Sequence, residues 1–132
     1  MAIRKLLFDS WEGNVDKGSE VDIPSWKDME IAIRALNGED RTLVTLQTAG
    51  DAYMAIGGGD AGRYIVYATF DNTTFHTIVG RQNRPGAETL VVGGQAGNYP
   101  ARFVTDIDTA IKVARTFSTL AQLERTHVWE AS

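Results

Sequence analysis

Few side chains in this sequence could support catalysis or hold a metal ion. His76 and His127 are its only imidazoles, and there is no cysteine to act as nucleophile or thiolate ligand. Neither histidine has the spacing of a metal site, and no G-x-S-x-G elbow presents a serine nucleophile. We therefore predict no catalytic residue, no metal site, no cofactor and no enzymatic activity. A small enzyme that uses His76 or His127 with a nearby carboxylate is the alternative.

Residues 57–62 fit the pattern G-x-G-x-x-G, which in dinucleotide-binding folds joins a strand to a helix. The helix N-terminus is what receives the pyrophosphate there. Here residues 63–70 have the composition of a strand, so the sequence predicts a glycine turn between two strands. Asp106 and Asp108 could form a carboxylate pair, but their position at a helix start is more typical of capping.

The negative charge of the chain is concentrated in its first half. Residues 1–60 carry eleven acids and six Lys or Arg (net −5), whereas residues 61–132 carry six acids and seven bases (net +1). The densest stretch, residues 9–22, holds five acids and one lysine without clear periodicity, which predicts a solvated loop. The total of −4 disfavours nucleic acid and anionic membranes as partners.

Trp11 differs from its acidic surroundings because no apolar periodicity predicts its burial. If it is exposed, an indole beside carboxylates has the chemistry of an anchor for a basic protein partner. We predict an interface made of acidic and aromatic residues in loops, namely Trp11, Glu12, Asp16, Asp51, Asp60 and Asp71.

The elements that would position these residues indicate an α+β fold. Ser25 and Asp28 form a capping-box pattern before an amphipathic helix that ends near Asn37 and Gly38, and Asp106 is the predicted N-cap of a second helix. Short β-branched and aromatic runs predict strands at 3–8, 42–48, 52–57, 63–70, 74–79, 88–92 and 126–130. Their short connections favour a mostly antiparallel meander, with both helices packed on one face.

The length of 132 residues and the 43% hydrophobic content suit one domain, residues 1–132. No apolar run approaches the roughly 18 residues of a membrane helix, and the N-terminus does not read as a signal peptide. We therefore expect a cytoplasmic protein.

Two segments of the chain, residues 55–64 and 91–99, have similar sequences. Each carries a glycine pair, Gly57 with Gly58 in the first and Gly93 with Gly94 in the second. Double glycine supplies the positive φ of a tight turn or bulge.

The order of features along the chain resembles that of a known family. A helix is followed by the first glycine run with Gly62 to Tyr64, then by the second with Tyr99 and Pro100, a helix ending near Phe117, and a closing Trp129 and Glu130. The family is immunity protein family 1 of bacterial polymorphic toxin systems, and the resemblance covers about residues 25–130. It implies a small α+β inhibitor that binds a toxin domain and protects the producing cell.

Among the toxins associated with this family, the resemblance points first to nucleic-acid deaminases. Such a toxin would present a basic, substrate-binding cleft that an acidic protein could occupy. Trp129 and Glu130 match the family's closing motif, and we assign them structural roles. A structural or self-associating subunit is the remaining alternative.

Overall fold

The computed structural model describes residues 2–132. Its two α-helices are α1 (Trp26–Arg34) and α2 (Ile107–Leu120). Its strands are β1 (Lys5–Phe8), β2 (Trp11–Glu12), β3 (Val15–Asp16), β4 (Ser19–Asp22), β5 (Leu43–Gln47), β6 (Tyr53–Gly58), β7 (Tyr64–Thr69), β8 (Phe75–Val79), β9 (Ala87–Val92), β10 (Gln95–Pro100) and β11 (Val128–Ala131). Short 3₁₀ turns lie at Asp60–Gly62 and Ala101–Phe103.

Both helices start at the predicted caps. The Ser25 hydroxyl accepts a hydrogen bond from the backbone N–H of Asp28 (3.1 Å), and the Asp28 carboxylate accepts one from the N–H of Ser25 (3.0 Å). Asp106 accepts from the N–H of Thr109 at 2.8 Å and begins α2. These contacts satisfy N–H groups that have no partner within the helix.

Seven strands form one antiparallel sheet in the order β11-β8-β7-β6-β5-β1-β4. Strands β5 to β8 follow one another along the chain and pair in sequence, which confirms the meander. The last strand, β11, lies at the edge of the sheet beside β8. The predicted α+β class with a mostly antiparallel sheet is therefore confirmed.

One face of this sheet, the helix face, carries the main core. The strand register places Leu46, Met54 and Ala68 in one row across β5, β6 and β7. These side chains are fully buried against residues of both helices, including Ile33 on α1 and Phe117 on α2. Burial of this kind contributes about 1.5–3 kcal/mol for each large apolar side chain.

The opposite face, the back face, is partly covered by the β9–β10 hairpin. Residues 88–92 were predicted as a strand of the meander, and this is wrong: β9 pairs with β10 in a separate two-stranded sheet. The hairpin packs Leu90 against Ile65 of the back face in a second, smaller core. Gly93 and Gly94, both with positive φ, form its turn, as the twist of a two-residue hairpin loop requires.

The acidic residues 9–22 are also more ordered than predicted. They form the β2–β3 hairpin and then β4, which pairs with β1 as the other edge strand of the main sheet. We call residues 9–22 the acidic flap. The expectation of a plain solvated loop failed because this edge strand places only Val21 against the main core, so its apolar period is weak.

Gly57 makes close packing of the hairpin possible, which gives a stability prediction. A Cβ added at Gly57 would lie 2.5 Å from Cγ1 of Val92, so Gly57→Ala should lower the free energy of unfolding by about 1–3 kcal/mol. Since Val92 supplies the clash, Val92→Ala should recover much of that loss in the double variant. Chemical denaturation of the four proteins measures the coupling, and strictly additive losses would contradict the assignment.

Candidate partner-binding surface

The acidic flap is anchored by Asp9, whose side chain is buried. Its carboxylate accepts hydrogen bonds from the backbone N–H groups of Thr42 (2.7 Å) and Leu43 (2.9 Å), and from the Thr42 hydroxyl. It also accepts one from the indole Nε1 of Trp11 at 2.7 Å. A buried carboxylate is stable only when its oxygens are bonded in this way.

Trp11 is half-buried, so it is less exposed than an interface anchor in a loop would be. Its ring lies directly over Gly94, where any added Cβ would collide with it. The N–H of Gly94 donates to the Thr42 hydroxyl at 2.9 Å. The flap, the start of β5 and the turn of the β9–β10 hairpin thus meet at Asp9 and Thr42.

The other acids of the flap face solvent. Glu12 lies 3.2 Å from the Lys17 ammonium, and Asp16 accepts from the backbone N–H groups of Ser10 (3.0 Å) and Gly18 (2.8 Å). Glu20 on β4 pairs with Lys5 at 3.4 Å. Since five acids oppose one lysine within residues 9–22, the flap stays acidic after these pairings.

A cleft of about 390 Å³ opens between the flap and the back face. Asp16 and Glu20 line its acidic side, and Leu7, Leu43 and Thr45 from the sheet are on the other. An apolar floor beside carboxylates suits a partner that presents both nonpolar and basic side chains.

Of the six predicted interface residues, only Asp16 lines this cleft, while Trp11 and Glu12 lie elsewhere on the flap. Asp60 lies in the β6–β7 connection and pairs with Arg63 at 3.0 Å. Asp51 and Asp71 lie in the turns at the opposite end of the sheet, between β5 and β6 and between β7 and β8. Hydrogen bonds from the backbone N–H groups of Thr74 (2.8 Å) and Thr73 (2.9 Å) hold the pKa of Asp71 below its usual value. Asp71 therefore stabilises its own turn.

The two histidines are placed in different surroundings. His76 on β8 lies beside Phe70, with 5.8 Å between ring centroids. His127 contacts Glu124 at 2.6 Å and lines a second cleft that also contains Arg63 and Arg81. Within residues 2–132, no group of three or more His, Cys, Asp or Glu side chains could hold a metal ion.

The segment before β11 is organised by Glu124, which is buried. Its carboxylate accepts from the Thr126 hydroxyl (2.7 Å) and lies against His127, and these contacts lower its pKa to about 2. Trp129 donates from Nε1 to the Glu124 carbonyl (2.9 Å), while Glu130 pairs with Arg102 (2.9 Å).

A family model described as Immunity protein Imm1 matches residues 17–131 of the chain. This range includes β4 to β11 and both helices, and it begins after Trp11, Glu12 and Asp16. No curated protein and no solved structure gives a significant match. Among residues 2–132, no helix has both the length and the apolar character needed to cross a bilayer.

The role of Asp9 predicts a large loss of stability on a small chemical change. Asp9→Asn keeps the size of the side chain but turns one acceptor into a donor facing other donors, and should cost roughly 2–4 kcal/mol in unfolding free energy. Asp16→Asn is the control, because that carboxylate is exposed and should cost less than about 1 kcal/mol. Urea denaturation compares them; equal losses would contradict the anchoring role of Asp9.

Glu124 predicts an acid-sensitive contribution to stability. Since its pKa falls from 4.5 to about 2 on folding, the stability it provides is complete above pH 4.5 and is lost as the pH falls toward 2. The difference in unfolding free energy between the wild type and Glu124→Gln should therefore shrink across that window. Denaturation at a series of pH values measures it, and a difference that does not change with pH would contradict the prediction.

Proposed function

The chain belongs to the Imm1 family of immunity proteins, and we propose that it binds one cognate bacterial toxin domain and covers its active or substrate-binding site. The family consists of inhibitors, so the chain neutralises a toxin and is not an enzyme. The observation that carries this conclusion is the family match over residues 17–131. We place the encounter in the cytoplasm of the producing cell.

We further propose that the toxin is a nucleic-acid deaminase of a polymorphic toxin system. Enzymes that act on nucleic acid need a cationic surface to hold the phosphate backbone. The acidic flap has the opposite charge, with Glu12, Asp16 and Glu20 exposed on it. Opposite charges accelerate encounter and orient the two proteins before close contact forms.

Within this proposal the predicted interface residues divide into two groups. Glu12 and Asp16 lie on the β2–β3 hairpin of the flap and serve as its charged contacts, while Trp11, packed on Gly94, supports the hairpin. Asp51, Asp60 and Asp71 lie at separate turns and would add to the long-range negative field of the protein.

The proposal predicts that this protein forms a complex with the product of the gene immediately upstream. Co-expression followed by co-purification tests the complex, and growth of the co-expressing cells tests neutralisation. Absence of a complex, or a complex that leaves the toxin fully active, would contradict the proposed function.

Charge reversal on the flap should slow association. Glu12→Lys and Glu20→Lys together should reduce the association rate roughly 3- to 10-fold at low salt, with a smaller effect at high salt because of screening. Asp108→Lys, at an exposed acid of α2, is the control for a change in net charge elsewhere. If Asp108→Lys slowed association as much per reversed charge as the flap variants do, the effect would come from net charge alone. That result would contradict a specific role for the flap.

A further inference from the structure

The back face of the sheet is covered at one end of its strands and bare at the other. At the covered end the β9–β10 hairpin packs on Gly57 and Ile65. Toward the other end, six side chains of this face remain half-buried, and we call them the bare strip: Leu7, Thr45, Gln47, Tyr53, Tyr67 and Phe75. Tyr67 lies at the boundary, because it also packs against the second core under the hairpin.

The strand register shows that these residues are neighbours. One cross-strand row runs from Glu20 on β4 through Leu7, Thr45, Ala55 and Tyr67 to Thr77 on β8. The adjacent row places Gln47, Tyr53, Thr69 and Phe75 side by side. Residues paired directly across an antiparallel sheet point to the same face, so the strip is one continuous surface.

The strip has the composition of an interface core. Tyr67 and Phe75 are in contact, with ring centroids 6.2 Å apart in an edge-on arrangement. Burial raises the pKa of the Tyr67 phenol, and the nearby phenols of Tyr53 and Tyr99 add to the shift. Tyrosine and phenylalanine are enriched at the centre of interfaces, where charged residues are depleted.

The charge around the strip identifies the kind of partner. Its floor begins at the cleft whose other side carries Asp16 and Glu20, so the apolar surface and the acidic flap are continuous. A second copy of this chain would bring two acidic flaps near each other, which is unfavourable. A basic protein surface with exposed nonpolar groups matches both parts at once.

The bare strip is too small to form a stable interface by itself. The strip covers five strands, β1 and β5 to β8, which span roughly 19 Å at a spacing of about 4.8 Å, and its two rows of side chains have a width of about 10 Å. That area of roughly 200 Å² is below the approximately 800 Å² per partner of a stable complex. The partner must therefore also contact the flap, the hairpin or both.

We propose that the bare strip is the docking surface for the cationic toxin domain, with nonpolar toxin side chains on Tyr53, Tyr67 and Phe75 and basic ones against Glu20 and Asp16. This inference rests on the proposed function and adds the surface to it. The flap sets how fast the toxin arrives, and the strip sets how slowly it leaves.

The test is the dissociation rate of the complex with the purified product of the upstream gene. Tyr53→Ala and Tyr67→Ala should each speed dissociation roughly 10- to 100-fold while changing association little. Ile31→Ala and Leu120→Ala are matched controls, because both residues are exposed and nonpolar and lie on the two helices. The controls should leave the rate within about twofold, and thermal unfolding checks that each variant is folded.

A second pair of variants avoids truncating the sheet. Thr45→Arg and Thr45→Glu add side chains of comparable length at one position that lines the cleft. Against a cationic partner, Arg should weaken binding at least tenfold more than Glu. Equal effects of both charges would overturn the assignment of a cationic partner to this strip.

The remaining outcomes are distinguishable. A wild-type complex that the tyrosine variants leave unchanged would overturn the strip while the proposed function stands. Absence of any wild-type complex would overturn both. Concentration-dependent dimers of this chain that Tyr67→Ala abolishes would show that the strip binds a second copy and would overturn its assignment to the toxin.

Discussion

The arrangement of the acidic side of this protein depends on the buried carboxylate of Asp9. Its two oxygens accept hydrogen bonds from the Thr42 and Leu43 backbone, the Thr42 hydroxyl and the Trp11 indole. Three of these donors lie at the start of β5 and the fourth is on the flap, so a single carboxylate fixes the flap to β5. Because Thr42 also accepts from the N–H of Gly94, the same site sets the position of the β9–β10 hairpin.

The two faces of the sheet are built differently. The helix face is closed by α1 and α2, and its large side chains are buried completely. The back face is closed only where Gly57 leaves room for Val92 of the hairpin. The rest of that face keeps half-buried tyrosines at the surface. Exposing their apolar area to water is unfavourable, and binding a partner would remove that area from water.

The acidic side chains of this protein divide into buried and exposed groups. The buried acids Asp9 and Glu124 are bonded to donors of their own chain, and their roles are structural. The exposed acids of the flap pair only with lysines or with backbone N–H groups. Under the proposed function, these pairs would exchange for contacts with a basic toxin surface.

Local sequence was sufficient for much of the fold. The capping residues Ser25 and Asp106 and the 3.6-residue period predicted both helices. The short β-branched and aromatic runs of β5 to β8, with their short connections, predicted the meander. These signals all act over a few residues. The ordered glycine pairs with the closing Trp129 and Glu130 were sufficient to suggest the family. The position of the β9–β10 hairpin shows the limit, because local sequence predicts strands joined by a glycine turn but not the sheet to which they belong.

The tertiary structure alone decided which acid is buried and which face is left open. Asp9 and Asp16 belong to the same acidic stretch, yet only Asp9 meets donors from residues 33 and 34 positions further along the chain. The alternation of Tyr53 with Met54 signals two faces, but it does not say which distant segment covers each of them. Side-chain period is a local property, whereas burial depends on long-range packing, so only the folded chain shows which face is covered.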